Sequence, residues 1–110
     1  MDLNLIVLCG RLAVDGELRV FDSGARLIRY LVTLRVDYPR RRTDVIPVTL
    51  WDPPEELIDH PGEKRDRIWV CGSVQRRHRD GPDGRRSQIE VVAEQVNFKD
   101  VEELEPIGAV

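Results

Sequence analysis

The chain has 110 residues, of which 41% are hydrophobic and 34% are charged, and its formal net charge at pH 7 is −3. This length and composition suit one globular domain rather than a multidomain or disordered chain. No stretch approaches the roughly 20 consecutive apolar residues of a membrane-spanning helix, and the acidic total argues against a nucleic-acid binder unless the basic residues are clustered.

The first predicted strand covers residues 3–12 and is apolar on both of its faces. Leu3, Leu5 and Val7 point to one side, and further aliphatic residues alternate with them on the other side. Because successive strand residues face opposite sides of a sheet, such a strand is expected to be covered on both sides. The cover comes either from the fold itself or from a second subunit. We predict that Leu3, Leu5 and Val7 form the contact surface of a homo-oligomer, a tetramer or a dimer.

The second long strand is predicted over residues 27–36, after a hairpin turn at Ser23-Gly24, where glycine supplies the positive φ that such turns need. Its even-numbered residues are apolar and are predicted to fill the core, whereas the outward face carries Arg29 and Arg35. A basic loop, Tyr38-Pro39-Arg40-Arg41-Arg42, follows this strand and has an aromatic ring at its start.

The third strand, residues 44–51, shows the clearest alternation in the chain. Ile46, Val48 and Leu50 point to one side and are predicted to enter the core. The opposite side ends in Trp51, a large ring for which the pattern offers no obvious interior. We predict that this strand is the floor of a groove and that a base stacks on Trp51 there, the alternative being a tryptophan that caps the edge of the core.

Residues 52–62 allow one short helix, because proline suits a first helical turn and Pro61-Gly62 ends it. The fourth and fifth strands are predicted over residues 67–75 and 87–98. Five strands with one short helix between the third and the fourth are typical of the OB fold, an all-β Greek-key barrel that binds oligonucleotides. The same alternation also permits an SH3-like barrel. We predict an OB-fold domain over residues 1–98 and a short acidic C-terminal extension over residues 99–110.

The remaining aromatic residues are predicted to have mainly structural roles. Phe21, Tyr30 and Phe98 are expected in the core. Trp69 lies on the outward face of the fourth strand together with Cys71, and both a subunit contact and a groove contact remain open for it.

Basic residues are clustered although the total charge is negative. Residues 99–110 carry one lysine and four acids, which leaves a neutral body over residues 1–98, and within it residues 35–42 and 76–86 each have a net charge of +3. Fifteen of the 17 basic residues are arginine, whose guanidinium binds phosphate oxygens in a fork and can lie flat on a base. The predicted phosphate-binding residues are Arg35, Arg40, Arg41, Arg42, Arg76, Arg77, Arg79, Arg85 and Arg86.

Other functional classes find little support in the sequence. Cys9 and Cys71 lie in apolar runs and are predicted to be buried free thiols of a reduced compartment, the alternative being a disulfide or a metal-binding pair. The first residues lack the basic head and cleavage site of a signal peptide, so we expect a cytoplasmic, nucleoid-associated protein. No Gly-rich phosphate loop, nucleophile elbow or HExxH pattern occurs in the sequence, and His60 and His78 are predicted to be surface residues. We predict no catalysis, no cofactor and no metal site.

Taken together, several segments resemble the bacterial single-stranded DNA-binding protein family. These segments are LNLIVLCGRL (3–12), DGELR (15–19), SG (23–24), TDVIPVTLW (43–51), EVVAE (90–94) and Phe98. They occur in the family's order and spacing across nearly the whole chain. The resemblance implies an OB barrel that assembles as a homotetramer and wraps single-stranded DNA during replication, recombination and repair.

Carried over residue by residue, the resemblance places Tyr38 and Trp51 at two positions where the family has stacking aromatic residues. Two positions depart from the family pattern, since Val45 stands where many members have a large ring and Arg79 stands where another ring is expected. The family's Gly/Pro-rich linker and acidic tip with a terminal Phe do not occur in these 110 residues, which puts the recruitment of other repair proteins in doubt.

We therefore predict sequence-independent binding of single-stranded DNA, by stacking on Trp51 and Tyr38 and by phosphate neutralisation by the arginines. The alternative is an interaction module that resembles the tail-less OB dimer primosomal replication protein N, with only weak affinity for nucleic acid. A translation-type OB domain that prefers RNA is a third possibility, because stacking and phosphate contacts are common to both nucleic acids.

Overall fold

The computed structural model describes residues 1–98, with Arg79 described by its backbone alone. These residues form six strands and one short helix. The elements are β1 (Ile6–Leu12), β2 (Glu17–Val20), β3 (Arg26–Val36), β4 (Arg42–Trp51), α1 (Glu55–Asp59), β5 (Arg67–Gly81) and β6 (Gly84–Asn97). The predicted acidic extension, residues 99–110, lies outside the described part of the chain, so the proposed domain boundary stays a prediction.

The strands close into the five-stranded barrel that the sequence predicts. β1 and β2 are two halves of one interrupted strand, because both pair antiparallel with β3, at Arg11↔Thr33 and at Glu17↔Arg29. From β3 the sheet continues through β4, then β6 and β5, and returns to β1. The β4–β6 pair is parallel, and every other pair is antiparallel. The pairing of β1 with both β3 and β5 closes the ring.

The interior of the barrel is filled by the residues that alternation assigns to it. Ile28, Tyr30, Val32 and Val48 are fully buried, and Leu50 is almost so. Val70 and Ala93 complete this cluster from β5 and β6. Val36 was predicted to belong to the same inward face but is exposed, because the β3–β4 ribbon extends beyond the barrel at that end. The packed inner layer fixes which side chains face outward and can meet a ligand.

Tyr30 places a buried hydroxyl in this core. Its ring meets the Phe98 ring edge-on at 6.0 Å between centroids. The predicted core position of Tyr30 is confirmed, whereas Phe98 is only half-buried and packs against the core. Among the described residues the hydroxyl has no hydrogen-bond partner, and burial raises its pKa from 10.0 to about 12.

This raised pKa predicts a loss of stability at high pH. The folded-state pKa lies above the unfolded one, so the contribution of the protonated hydroxyl is fully present below pH 10.0 and is lost as the pH rises toward about 12. Tyr30→Phe should therefore flatten the fall of the unfolding free energy over that interval, and at pH 7 it should change that free energy by no more than about 1 kcal/mol. Urea unfolding of the wild type and of Tyr30→Phe at pH 10.0 and at about pH 12 measures the effect. The same loss of unfolding free energy in both proteins between these two pH values would contradict the prediction.

Two strand predictions needed correction. The first strand was expected from residue 3, but β1 begins at Ile6, because before the Ile6↔Gly72 pair it is the Asn4 side chain that hydrogen-bonds to the β5 backbone, at Val74. The fourth strand was expected to end at residue 75 and the fifth to begin at residue 87, but β5 and β6 pair regularly up to Gly81↔Gly84. This hairpin arm has polar residues on both faces, and its tight turn uses the positive φ of 106° at Gly84.

The helix α1 occurs where it was predicted, between β4 and β5, and is only five residues long. Pro54 precedes its first turn, and Glu55 and Glu56 lie in that turn, where their charges complement the helix dipole. Within the described residues, no helix combines the length and the apolar character that crossing a bilayer would require.

Candidate nucleic-acid interface

The ring of Trp51 lies on the outer surface of the barrel, as strand parity predicts. The side chain is 39% exposed, whereas its neighbour Leu50 is buried in the core. The alternation of β4 therefore separates a core-facing side from an outer side, and Trp51 ends the outer side.

Among the described residues, one aromatic ring and one guanidinium pack on the Trp51 ring. The Phe21 ring is stacked on it, with 5.8 Å between the centroids and 22° between the planes. The Arg77 guanidinium lies over the indole at 5.7 Å from its centroid, a distance typical of a cation–π contact. Arg77 is also paired with Glu90 at 2.6 Å. An aromatic pair and a cation are thus assembled at one point from three separate strands or their ends.

Phe21 was predicted to belong to the core, and this prediction is wrong. Its side chain is 43% exposed, because β2 ends at Val20 and Phe21 continues outside the barrel. The chain then turns back through a hydrogen bond from the Gly24 N–H to the Phe21 carbonyl. Alternation within β2 could not locate this ring, since its partner Trp51 is far away in the sequence.

A cleft surrounds the indole, and we call it the Trp51 cleft. Leu27 and Thr49 are nearly buried and form its floor, while Arg19 and Arg29 stand at its edge. Its complete lining is Arg19, Phe21, Leu27, Arg29, Pro47, Thr49, Trp51, Arg77, Gln88, Ile89 and Glu90. The sequence-based prediction missed the two edge arginines. Arg29 could have been predicted from the sequence, because alternation places it on the same outward face of β3 as the predicted residue Arg35.

The Trp51 cleft continues into a surface that we call the outer track, formed by the outward residues of β3 and β4. The register pairs Leu27 with Trp51 at one end and Arg35 with Thr43 at the other. Between these ends, Thr33 lies opposite Val45, and Val45 is 51% exposed. Eight residues of β4 separate the two ends, which corresponds to about 27 Å at about 3.4 Å per residue.

Tyr38 lies beyond the far end of the outer track, in the β3–β4 connection. The side chain is 85% exposed, so it contributes almost nothing to packing, and the alternative of a simple loop anchor loses its basis. The two predicted stacking rings are therefore at opposite ends of one ribbon rather than side by side. A ligand that touches both must be extended along the outer track.

The predicted arginines are brought to two hairpins, and most of them are ion-paired there. Ion pairs link Arg41 to Asp37 (3.9 Å), Arg42 to Asp44 (3.0 Å), Arg77 to Glu90 (2.6 Å), Arg85 to Asp80 (3.9 Å) and Arg86 to Asp83 (3.2 Å). Among the described side chains, Arg35, Arg40 and Arg76 form no ion pair, and Arg76 donates a hydrogen bond to the Ser87 hydroxyl. The side chain of Arg79 is not described. The acids within these hairpins thus offset much of the positive charge that the sequence suggested.

The register also divides the arginines of the hairpin arm between its two faces. Arg77 lies opposite Gln88, and Arg76 lies opposite Ile89. Because adjacent strand residues face opposite sides, Arg77 belongs to the Trp51 side of the arm and Arg76 to the other side. Sequence clustering alone could not distinguish these orientations.

The side of the barrel formed by β1 and β5 carries the exposed apolar residues of the first segment. Leu3, Leu5 and Val7 are all exposed. Val7 pairs with Cys71, and Cys9 pairs with Trp69, so these residues share one outward face. Trp69 is half-buried on this face and does not line the Trp51 cleft.

Comparison with known proteins identifies the same family that the sequence motifs suggest. The sequence model of the "Single-strand binding protein family" matches residues 3–99. Single-stranded DNA-binding protein 3 of Listeria innocua is 35% identical over 103 residues, covering 87% of this chain and 63% of the relative. A single-stranded DNA-binding protein of Halalkalibacterium halodurans is 35% identical over 114 residues, covering 97% of this chain and 64% of the relative. The chain thus spans less than two thirds of the length of these relatives.

The fold also matches a solved structure. A Plasmodium falciparum SSB in complex with single-stranded DNA superposes with a TM-score of 0.77, covering 91% of this chain and 97% of that one. At 20% sequence identity, this likeness establishes the OB barrel alone.

Proposed function

The chain belongs to the single-strand binding protein family, and from this premise we propose that it binds single-stranded DNA without sequence preference. The observation that carries the proposal is Trp51, an exposed indole on the outer face of the barrel, at the end of a track with arginines at both ends. An exposed ring beside cations suits a ligand that offers both π-faces and negative charge. Every nucleotide of a single strand offers both, which is why the binding tolerates sequence.

Stacking on Trp51 is the first element of the proposed mechanism. A base that stacks on an aromatic side chain contributes roughly 1–3 kcal/mol. Phe21 supports the indole from within the Trp51 cleft, so the ring is held in place before a ligand arrives. Arg77 can move from the indole to a phosphate or stack on the base itself, because its side chain is 41% exposed. The strand then extends along the outer track toward Tyr38.

Phosphate neutralisation is the second element. Ion pairs between exposed side chains, such as Arg41–Asp37 and Arg86–Asp83, contribute little to stability. A phosphate can therefore replace the carboxylate at small cost, and the guanidinium binds it through two hydrogen bonds. Arg35 and Arg40 have no carboxylate partner among the described side chains, so a phosphate that binds them displaces no ion pair. The proposed contacts remain those predicted from the sequence, with Arg19 and Arg29 added.

The proposed role is protection of single-stranded DNA in replication, recombination and repair, as expected for this family. No enzymatic step and no cofactor form part of the proposal. A cytoplasmic, nucleoid-associated location stays a prediction.

A fluorescence titration with oligo(dT) at several salt concentrations tests the proposed function. If about five phosphates are neutralised, the logarithm of the binding constant should fall against the logarithm of salt with a slope of about −3.5. Nanomolar affinity at low salt supports the proposal, whereas binding only in the micromolar range favours the interaction module. A slope shallower than about −1.5 would refute the role of the arginines. Competition by oligo(rU) separates a DNA preference from an RNA preference.

We also propose that the protein forms a homo-oligomer through the exposed apolar residues Leu3, Leu5 and Val7. Three exposed aliphatic side chains in one short segment are a typical interaction surface. Val7→Asp should therefore yield a smaller species by light scattering, because a charge on this surface opposes its burial. Val14→Asp is the matched control, since Val14 is also exposed but lies between β1 and β2. An unchanged mass for Val7→Asp would rule out this interface.

A further inference from the structure

A second cleft, separate from the Trp51 cleft, lies where β1 and β3 meet the segment before β5. Five of the ten residues that line it are basic, and none is acidic. The basic residues are Arg11, Arg35, Lys64, Arg65 and Arg67. We call this surface the basic cleft. Only Arg35 belongs to the clusters predicted from the sequence. Arg11 comes from β1, and Lys64, Arg65 and Arg67 come from one short segment at the start of β5, so the fold brings three parts of the chain together.

The positive charge of the basic cleft is less compensated than that of the hairpins. Among the described side chains, no acid forms an ion pair with Arg11, Arg35, Lys64 or Arg65, whereas five hairpin arginines are each paired with a carboxylate. The guanidinium of Arg67 donates a hydrogen bond to the Cys9 thiol at 3.6 Å. Four cations of the basic cleft, of which only Arg35 belongs to the predicted clusters, thus have no acidic partner among the described side chains.

The loop that supplies Lys64 and Arg65 is held in a fixed conformation. The Arg65 N–H donates to the Leu12 carbonyl at 2.8 Å, and the Arg65 carbonyl accepts a hydrogen bond from the Arg11 guanidinium at 3.0 Å. The Lys64 N–H donates to the Asp15 carboxylate at 2.8 Å. These bonds hold Arg65 at a φ of 79°, which favours glycine and is strained for a residue with a side chain. An arginine thus occupies a position for which the backbone prefers glycine.

The basic cleft is continuous with the outer track. Arg35 belongs to both surfaces, because it ends the outer track opposite Thr43 and also lines the basic cleft. Thr33 is its neighbour on the same face of β3 and pairs across to Arg11 on β1. A strand that follows the outer track away from Trp51 therefore reaches Arg35 and can turn across β3 toward β1.

We propose that the basic cleft binds the phosphate backbone of the same single strand, as a second contact region after the Trp51 cleft and the outer track. This inference rests on the proposed function, because it assigns a further stretch of the same ligand. A second copy of this chain is not the occupant that the charges favour, since a symmetric contact would bring like-charged clefts together. The lining of the basic cleft contains cations and no aromatic ring. It therefore fits the phosphate backbone of a nucleic acid, which binds through its negative charge and needs no ring to stack on.

Two variants and one control test the basic cleft. Arg65→Gly removes one charge and relieves the positive φ, so its melting temperature should be no lower than that of the wild type. Lys64→Gln removes one charge and leaves the backbone bond to Asp15 in place. Arg26→Gln is the matched control, because it also removes one charge but Arg26 pairs with Glu55 and lines neither cleft. Each protein is titrated with oligo(dT) of about 6 and of about 30 nucleotides, the shorter length being near the lower limit for one OB fold.

The expected result is a loss confined to the long ligand. Arg65→Gly and Lys64→Gln should each weaken binding of the long oligonucleotide by roughly tenfold and reduce its salt slope by about 0.7, while the short oligonucleotide binds as before. Three results would each overturn the inference. The first is that the variants bind the long oligonucleotide as tightly as the wild type does, and the second is that they lose equal affinity for the short and the long oligonucleotide. The third is that Arg26→Gln loses as much affinity as the two variants do. If the wild type binds neither length, the proposed function fails instead.

Discussion

Replacing Trp51 by alanine is expected to weaken oligo(dT) binding by about 1–3 kcal/mol, the contribution of one base–aromatic stack. This corresponds to roughly a 5- to 150-fold rise in the dissociation constant. The effect should be large because the indole is the only tryptophan ring in the Trp51 cleft and Phe21 already holds its orientation. Fluorescence anisotropy of a labelled oligonucleotide measures the change without relying on the tryptophan itself.

Two further variants distinguish stacking from a general loss of structure. Trp51→Phe keeps a ring in the Trp51 cleft and should recover most of the affinity. Trp69→Phe changes the other tryptophan, which lies on the β1–β5 side, and should leave the affinity within about twofold of the wild type. Melting temperatures show whether the loss of the Phe21 contact unfolds the protein. A folded Trp51→Ala variant with wild-type affinity would contradict the stacking mechanism.

Replacing Val45 by tryptophan is expected to strengthen binding by about 1–3 kcal/mol, because it adds a ring to the outer track. Val45 is 51% exposed and lies between Trp51 and the Tyr38 end of the ribbon. Its cross-strand partner Thr33 is small, so the new ring has room to lie on the outward face. The same titration measures this gain, which should persist when the salt concentration is raised, because salt weakens the phosphate contacts of both proteins alike.

Val20→Trp is the matched control for this gain. Val20 is also an exposed strand valine, but its side chain does not line the Trp51 cleft. A tryptophan there adds the same hydrophobic surface without extending the track. Equal gains from Val45→Trp and Val20→Trp would mean that any exposed ring increases affinity, and the outer track would then have no special role.

Local patterns were sufficient to predict the barrel and the position of Trp51. Alternation over residues 44–51 separates Val48 and Leu50 from Trp51 by parity alone. Thr49 is the exception to parity, because it is buried on the outer face as part of the floor of the Trp51 cleft. The short helix was predictable for a similar reason, because Pro54 and the following acids act within one turn. These features depend on neighbours in the sequence.

The remaining features of the candidate site depend on contacts between distant segments. The stacking of Phe21 on Trp51 joins residues that are 30 positions apart, and no periodicity within either strand encodes it. The ion pair between Arg77 and Glu90 also joins distant segments, because the two side chains meet only through the register of β5 and β6. The basic cleft is the clearest example, because Arg11, Arg35 and Arg65 come from three separate segments.

The extent of the hairpin arm was also beyond local patterns. A stretch such as Gln75 to Asp80 has no apolar face, so alternation offers no signal for a strand there. The backbone nevertheless continues pairing past the barrel until Gly81 meets Gly84. The arm therefore presents its arginines on a regular two-stranded ribbon, with Arg76 and Arg77 on opposite faces.

The most direct test of the account is a fluorescence titration of the Trp69→Phe variant, in which Trp51 is the only tryptophan. If bases stack on this indole, saturating oligo(dT) should strongly quench its emission, and the midpoint of quenching should coincide with that of anisotropy. Binding detected by anisotropy without any change in the Trp51 emission would contradict the central claim that this exposed ring receives a base.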